Sequence, residues 1–97
     1  MARITFLSRM TVKSGKEAQF ERIVKDMQAR VHREERGFVY YEFFRLREPR
    51  RYAVLESFPD EATEHAHMNG RILAELGPGI VECLDGTWER EYLDVLT

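Results

Sequence analysis

Cysteine is nearly absent: Cys83 is the single thiol among 97 residues. One thiol closes no disulfide within the chain and builds no cysteine-only zinc site. The expected compartment is therefore reducing, the cytoplasm. Long apolar runs are missing too. No window approaches the ~18 consecutive apolar residues of a membrane-spanning helix. The start, Met1-Ala2-Arg3-Ile4-Thr5-Phe6-Leu7-Ser8-Arg9, shows no apolar leader core and no cleavage signature. Neither secretion nor a membrane anchor is expected. An excess of one charge sign is also lacking: 15 basic against 17 acidic residues leave a net charge of −2. Nucleic-acid binders normally carry a basic excess, so no nucleic-acid partner is expected. The sequence has no Walker loop, no glycine-rich dinucleotide turn after its first strand and no HExxH. It has no repeat and no low-complexity tract.

What remains is a folded chain, 43% hydrophobic and 33% charged. Its length reads as one domain over residues 1–97. A chain of this size buries roughly 65% of its unfolded surface, a thin margin that self-association would widen. Six Phe, four Tyr and one Trp supply large side chains for a core or a pocket.

Period-two alternation of Ile4, Phe6, Met10 and Val12, with Ser8 the polar exception, predicts a strand over residues 3–12. Ser14, with Glu17 three residues on, reads as a capping box. From Lys16 to about Arg33 the period changes: Phe20, Ile23, Val24, Met27 and Val31 form one apolar helical stripe, and Gly37 marks the reversal after it. Phe38 to Arg47 and Arg51 to Phe58 read as two strands of a hairpin around Glu48-Pro49-Arg50. Asp60 caps a helix that carries His65 and His67 and ends near Asn69-Gly70. A further helical stretch holds Ile72, Leu73 and Leu76. Gly77-Pro78-Gly79 should break or kink it, leaving Ile80 to Leu84 as a short last turn. Thr87 to Val95 reads as the fourth strand.

The order β-α-β-β-α-β, with the second helix split, is the ferredoxin-like pattern of the α+β class: an antiparallel sheet with its helices on one face. The other face would expose apolar side chains, Val39, Tyr41 and Phe43 or their neighbours. An exposed apolar sheet face on a small chain marks an interface. Two copies packed sheet on sheet, a twofold homodimer, would cover it.

Glu56 and His67 are the candidate catalytic residues. Glu56 falls mid-strand on the face of Val54 and Phe58, where a carboxylate is costly unless paired. Desolvation there would raise its pKa and make it a general acid or base. The plainer reading is an ion pair across strands, with Arg45 for instance. His67 lies near a helix end, eleven residues beyond Glu56, and could carry a proton near neutral pH; a capping or surface histidine is the alternative. His65 and His67, two apart, point about 200° from one another on a helix and share no metal-ligand face, so no metal is expected. His32, in the last turn of the first helix, suits that helix terminus. Candidate lining for a flat ring is Tyr40, Tyr52 and Trp88, which offer an apolar body and a polar tip, joined by Phe58 and by Asn69 at the helix break. Arg45, Arg47, Arg50 and Arg51 gather around the hairpin turn, either as a solvated turn balanced by Glu42 and Glu48 or to capture an acidic ligand group.

Three stretches together resemble the antibiotic biosynthesis monooxygenase (ABM) domain family. Val12-Lys13-Ser14-Gly15-Lys16-Glu17 running on to Phe20 matches its start. Arg36-Gly37-Phe38-Val39-Tyr40-Tyr41-Glu42 resembles its approach to the second strand, with Arg36 where Pro is common. Glu56-Ser57-Phe58-Pro59-Asp60 followed by His67 matches its E-x-aromatic-x-D…H pattern. The resemblance implies a dimeric α/β barrel of two ferredoxin-like chains with a pocket between sheet and helices. It implies a cofactor-independent monooxygenase that oxidises quinol- or anthrone-like small aromatics with O2 as co-substrate. His67 and Glu56 would match the pocket histidine and strand carboxylate. After His67 the chain reads Met68-Asn69-Gly70-Arg71 where many relatives carry Ser-Pro-His. Ser8 stands where the haem-degrading branch has Asn, which disfavours haem. The rival readings are an isomerase or degrader of small hydroxy-carbonyl compounds, which needs a base but no oxygen, and a non-catalytic ligand-binding dimer.

Overall fold

The computed structural model describes residues 3–96. Met1 and Ala2, part of the stretch read for a leader, lie outside the described residues, as does Thr97. The elements are β1 (Ile4–Thr11), α1 (Glu17–Glu34), β2 (Tyr40–Arg45), β3 (Arg51–Phe58), α2 (Glu61–Met68), α3 (Arg71–Cys83) and β4 (Glu89–Leu93). The four strands lie in the order β2-β3-β1-β4, every neighbouring pair antiparallel. This is the ferredoxin-like α+β fold. Among the described residues, no helix is long and apolar enough to cross a membrane.

Alternation along the strands divides the sheet into two faces. The register aligns Phe6 with Glu56 and Tyr92, Ser8 with Val54 and Arg90, and Glu56 with Tyr41. These side chains share the helix-covered face. The core forms where Met10, Val12, Tyr41, Tyr52 and Val54 meet Phe20, Val24, Met27 and Val31 of α1 and Ile72, Ile80 and Cys83 of α3. Phe20 packs on Tyr52 with ring centroids 4.6 Å apart.

The other face is open. Tyr41 and Phe43 are not on it: they face the helices, and their neighbours Tyr40 and Phe44 point outward instead. Tyr40 is 37% and Phe44 41% exposed. Partly buried Leu7 and Leu55 and exposed Leu93 extend this apolar surface across the sheet. β2 is shorter than the aromatic run suggested. Gly37, at φ +90°, turns the chain out of α1, and Phe38 and Val39 stay outside the strand.

Two local expectations fail. Lys16, not Ser14, occupies the α1 cap, without a side-chain bond. Gly15 in a left-handed turn carries Ser14 away from the helix, and the Glu17 carboxylate accepts from the Gly15 N–H instead, at 2.7 Å. α3 runs unbroken from Arg71 to Cys83 through Pro78. Its apolar stripe of Ile72, Leu73, Leu76, Ile80 and Cys83 packs against the core, and this tertiary packing overrides local propensity. Gly79 allows the approach: a Cβ there would lie 3.2 Å from the Ile23 Cδ1 atom of α1.

Pro78 is exposed in the helix interior and removes a backbone hydrogen bond. Pro78→Ala restores it, at the cost of a freer unfolded chain, and should raise stability by about 1–2 kcal/mol. Urea denaturation measures this, with a higher midpoint at unchanged slope.

Candidate active site

Asp60 starts α2 by accepting from the Thr63 N–H at 2.8 Å and the Thr63 hydroxyl at 2.7 Å. These bonds hold its carboxyl below the usual range. The fixed start sets the rotation of α2, whose single buried residue is His67. His65 is exposed, pointing away as its two-residue spacing requires. His67 is 4% exposed. Its ring stacks on Phe58 at 5.6 Å and 29°, and Tyr41 meets it edge-on at 5.0 Å.

The two nitrogens of that ring face two carboxyl groups. Nδ1 lies 2.7 Å from the Glu35 Oε1 atom. Nε2 lies 3.6 Å from the Glu56 Oε1 atom. Glu56 is buried, and among the described residues its Oε1 has no hydrogen-bond partner. Burial pushes the Glu56 carboxyl up to about 7; Arg90 pulls it down, while Glu64 and Glu35 add to the rise. The cross-strand pair with Arg45 does not form, because Arg45 binds Glu21 at 2.7 Å. Register places Arg45 opposite Tyr52, four residues along β3 from Glu56.

Glu56 and His67 open onto a cavity of about 210 Å³ between sheet and helices. Ser8, Met10, Tyr41, Phe43 and Val54 form its sheet wall, and Met27, Leu73 and Ile80 its helix wall. Trp88 and Val81, 42% and 54% exposed, are the lining residues nearest to solvent. Arg90 supplies a cation. Its guanidinium sits 4.0 Å above the Phe6 ring, and its Nε lies 3.5 Å from the Ser8 hydroxyl. Tyr41, buried beside the two acids, donates to the Met27 sulfur at 3.1 Å, and burial raises its pKa. Among the described residues, no three His, Cys, Asp or Glu side chains converge as metal ligands.

The structure therefore brings together Glu56, His67 and Trp88, with Phe58 behind the imidazole. It does not bring the remaining candidates. Tyr40 is on the open face, donating to Glu42. Asn69 is exposed at the end of α2, where its amide donates to the His65 carbonyl at 2.9 Å. Tyr52 lines a different hollow of about 370 Å³ with Glu21, Gln28 and Arg45. There it donates to Glu21 at 2.6 Å; Arg45 and Tyr52 hold the Glu21 carboxyl low. The hairpin arginines are engaged too: Arg50 donates to the Val12 carbonyl at 3.1 Å and Arg51 to the Thr11 hydroxyl at 2.8 Å. Glu35 and Arg90 are the residues that sequence reasoning missed. Alternation in β4 would have put Arg90 on the face of Tyr92, whereas Glu35 lies in the charged run Arg33-Glu34-Glu35-Arg36 with no periodic signal.

Comparison with known proteins places this architecture. No curated protein matches the chain. A Caulobacter crescentus crystal structure, assigned to the antibiotic biosynthesis monooxygenases, is 26% identical, with a TM-score of 0.92, and the match covers 99% of this chain and 92% of that one. A conserved protein from Methanosarcina mazei is 25% identical, with a TM-score of 0.85 and coverage of 97% and 93%. A Pseudomonas aeruginosa protein shares the fold at 20% identity and a TM-score of 0.87, over 100% of this chain and 97% of its own. The sequence itself matches the antibiotic biosynthesis monooxygenase family over residues 3–75, about three quarters of its length, and the chain belongs to that family.

Proposed function

We propose that this protein is a monooxygenase that oxidises a small quinol- or anthrone-like aromatic with O2 and no cofactor. Family membership supports the general activity. The observation that carries the reading is the buried, unpartnered Glu56 oxygen facing His67 across 3.6 Å in an apolar cavity. A carboxyl titrating near neutrality beside an imidazole is suited to proton abstraction.

The pair takes a proton from an acidic O–H or C–H of the substrate. Arg90, at the cavity wall, stabilises the negative charge that develops, and a site poor in water strengthens that interaction. The electron-rich anion reduces O2, and a carbon–oxygen bond forms. The pair returns its proton to the peroxide. The O–O bond then breaks, one oxygen atom stays on carbon and the other leaves as water. The carbon loses its remaining hydrogen as that water departs, so the CH2 of an anthrone becomes a carbonyl and a ring C–H of a quinol becomes the new C–O of a hydroxyquinone, with O2 the oxidant throughout. Trp88 and Phe43 offer aromatic surface to a flat substrate.

We further propose that the open sheet face joins two copies in a dimeric α/β barrel. Tyr40, Phe44, Leu55 and Leu93 form an apolar surface of the kind that soluble chains bury by association. A twofold axis would set this face against its own copy.

Oxygen uptake with a panel of hydroquinones and anthrones tests the reaction. Uptake should match substrate loss in metal-free buffer, and His67→Ala should lower kcat at least 100-fold with the circular dichroism spectrum unchanged. Equal turnover under argon would instead establish the isomerase-type reading. Glu56 supports proton abstraction by the adjacent imidazole only when ionised, so kcat/KM should rise with pH and level off above about 7. Stability runs the other way. Between 4.5 and about 7 the folded state holds a proton that the unfolded state has released, so stability falls as pH rises through that window. Glu56→Gln should therefore exceed the wild type by about 3 kcal/mol at pH 8, with the gap closing below pH ~4.5, in urea titrations at both pH values. Phe44→Glu should turn a dimer into a folded monomer in sedimentation velocity.

A further inference from the structure

His67 stands between two spaces. One is the inner cavity with Glu56. The other is an outer hollow of about 280 Å³, bordered by Arg36, Phe38, Thr63 and Arg71, which Glu35 also lines. Glu35 caps the end of α1, its N–H bonded to the Val31 carbonyl at 3.0 Å and its backbone extended. From there its carboxylate reaches the buried face of a helix more than thirty residues away in sequence. Gly70 makes room for it. A Cβ at that position would lie 3.4 Å from the Glu35 Oε2 atom and 2.9 Å from the Ala66 carbonyl oxygen. The nearby Arg71 cation is occupied by Glu34 at 2.7 Å.

We propose that Glu35 is the positioning residue of this site: by accepting the Nδ1 proton of His67 it fixes the neutral ring in one tautomer and leaves the Nε2 lone pair turned to Glu56 and the cavity. A neutral imidazole carries one proton, and the partner of one nitrogen decides the role of the other. Here Nδ1 has a bonded carboxylate at 2.7 Å, while among the described residues Nε2 faces the Glu56 Oε1 atom at 3.6 Å, beyond hydrogen-bond reach. Phe58 and Tyr41 clamp the ring plane, so rotation about the ring axis is the freedom that Glu35 removes. The charged and titratable groups facing the pair are Glu56 from β3, Tyr41 from β2, Arg90 from β4, Glu64 from α2, and Arg36, Glu34 and Arg71 around the outer hollow. Without Glu35, the ring would turn its N–H toward Glu56 and lose the lone pair that accepts substrate protons.

The consequence for turnover rests on the monooxygenase reading, but the tautomer does not. Nitrogen-15 NMR of the ligand-free protein, with labelled histidine and His67 assigned by its absence in His67→Ala, should show Nδ1 protonated and Nε2 unprotonated above neutral pH. In Glu35→Gln the signals should move toward the Nε2–H form, and in Glu35→Ala further. Glu35→Gln changes only charge and donor pattern and keeps the side-chain volume, so it stands if the alanine variant does not fold. In oxygen uptake, Glu35→Gln should lose roughly 10- to 100-fold in kcat at nearly constant KM, the range found when the outer partner of a metal-bound histidine is changed. An Nε2–H ring in the wild type, or an unmoved signature in Glu35→Gln, would overturn the assignment. The expected NMR pattern in a wild type that consumes no oxygen would support the positioning role while removing the monooxygenase reading.

Discussion

The site depends on one unfavourable burial. A carboxyl group on the inner face of β3, opposite Phe6 and Tyr41, is removed from water without a hydrogen bond to its Oε1 atom. Such a group keeps its proton far above the ordinary range because the charged form is penalised by desolvation. The fold tolerates the cost because the surrounding layer is built by other residues. Phe20, Met27, Val31 and Val12 are nearly inaccessible and would hold the helices on the sheet whatever stood at position 56. The burial therefore has a chemical consequence: a carboxyl that holds its proton up to about neutral pH lies beside an imidazole at one apolar space.

Electrostatic order around that pair comes from three elements that are distant in the chain. α1 ends beside α2, so Glu35 reaches the solvent side of the imidazole. β4 pairs with β1, so Arg90 lies across the sheet from Glu56 and lowers the cost of its ionised form. β3 supplies Glu56 itself. The result is an acid–imidazole–acid array with a cation opposite, and its polarity is directed across the cavity. The Arg90 cation is the part of such an array suited to stabilise a transient anion, because it is in place before charge develops.

Much of the frame was legible in the sequence. Alternation in β3 put Glu56 on the inner face, the three-four spacing of Phe20, Val24, Met27 and Val31 defined the buried side of α1, and Asp60 marked the start of α2. The parity of β2 was not legible, because aromatic residues occupy both of its faces. Tyr40 and Tyr41 differ only in which one pairs opposite Glu56, and that register is set by the tertiary sheet. Pro78 misled for a different reason: a local penalty of about 3 kcal/mol is smaller than the packing of a five-residue apolar stripe. Glu35 left no trace because its role exists only through contact between α1 and α2, and one carboxylate in a charged run looks like its solvated neighbours.

The open sheet face and the inner cavity are linked by the thinness of this domain. Both faces of one four-stranded sheet carry large apolar side chains, yet only one is covered by helices. A cavity left in the covered layer removes contacts that a chain of this length can spare only with difficulty. Covering the second face would restore buried apolar area without filling the first. Ala53 and Ser57, on the open side of β3, are already inaccessible, so an incoming sheet would meet a smooth central strip flanked by Phe44, Tyr40 and Leu93. Association of the proposed kind would thus answer the constraint that a hollow interior sets. The helical layer is free to keep space for a ligand to the extent that the opposite layer is completed from outside the chain.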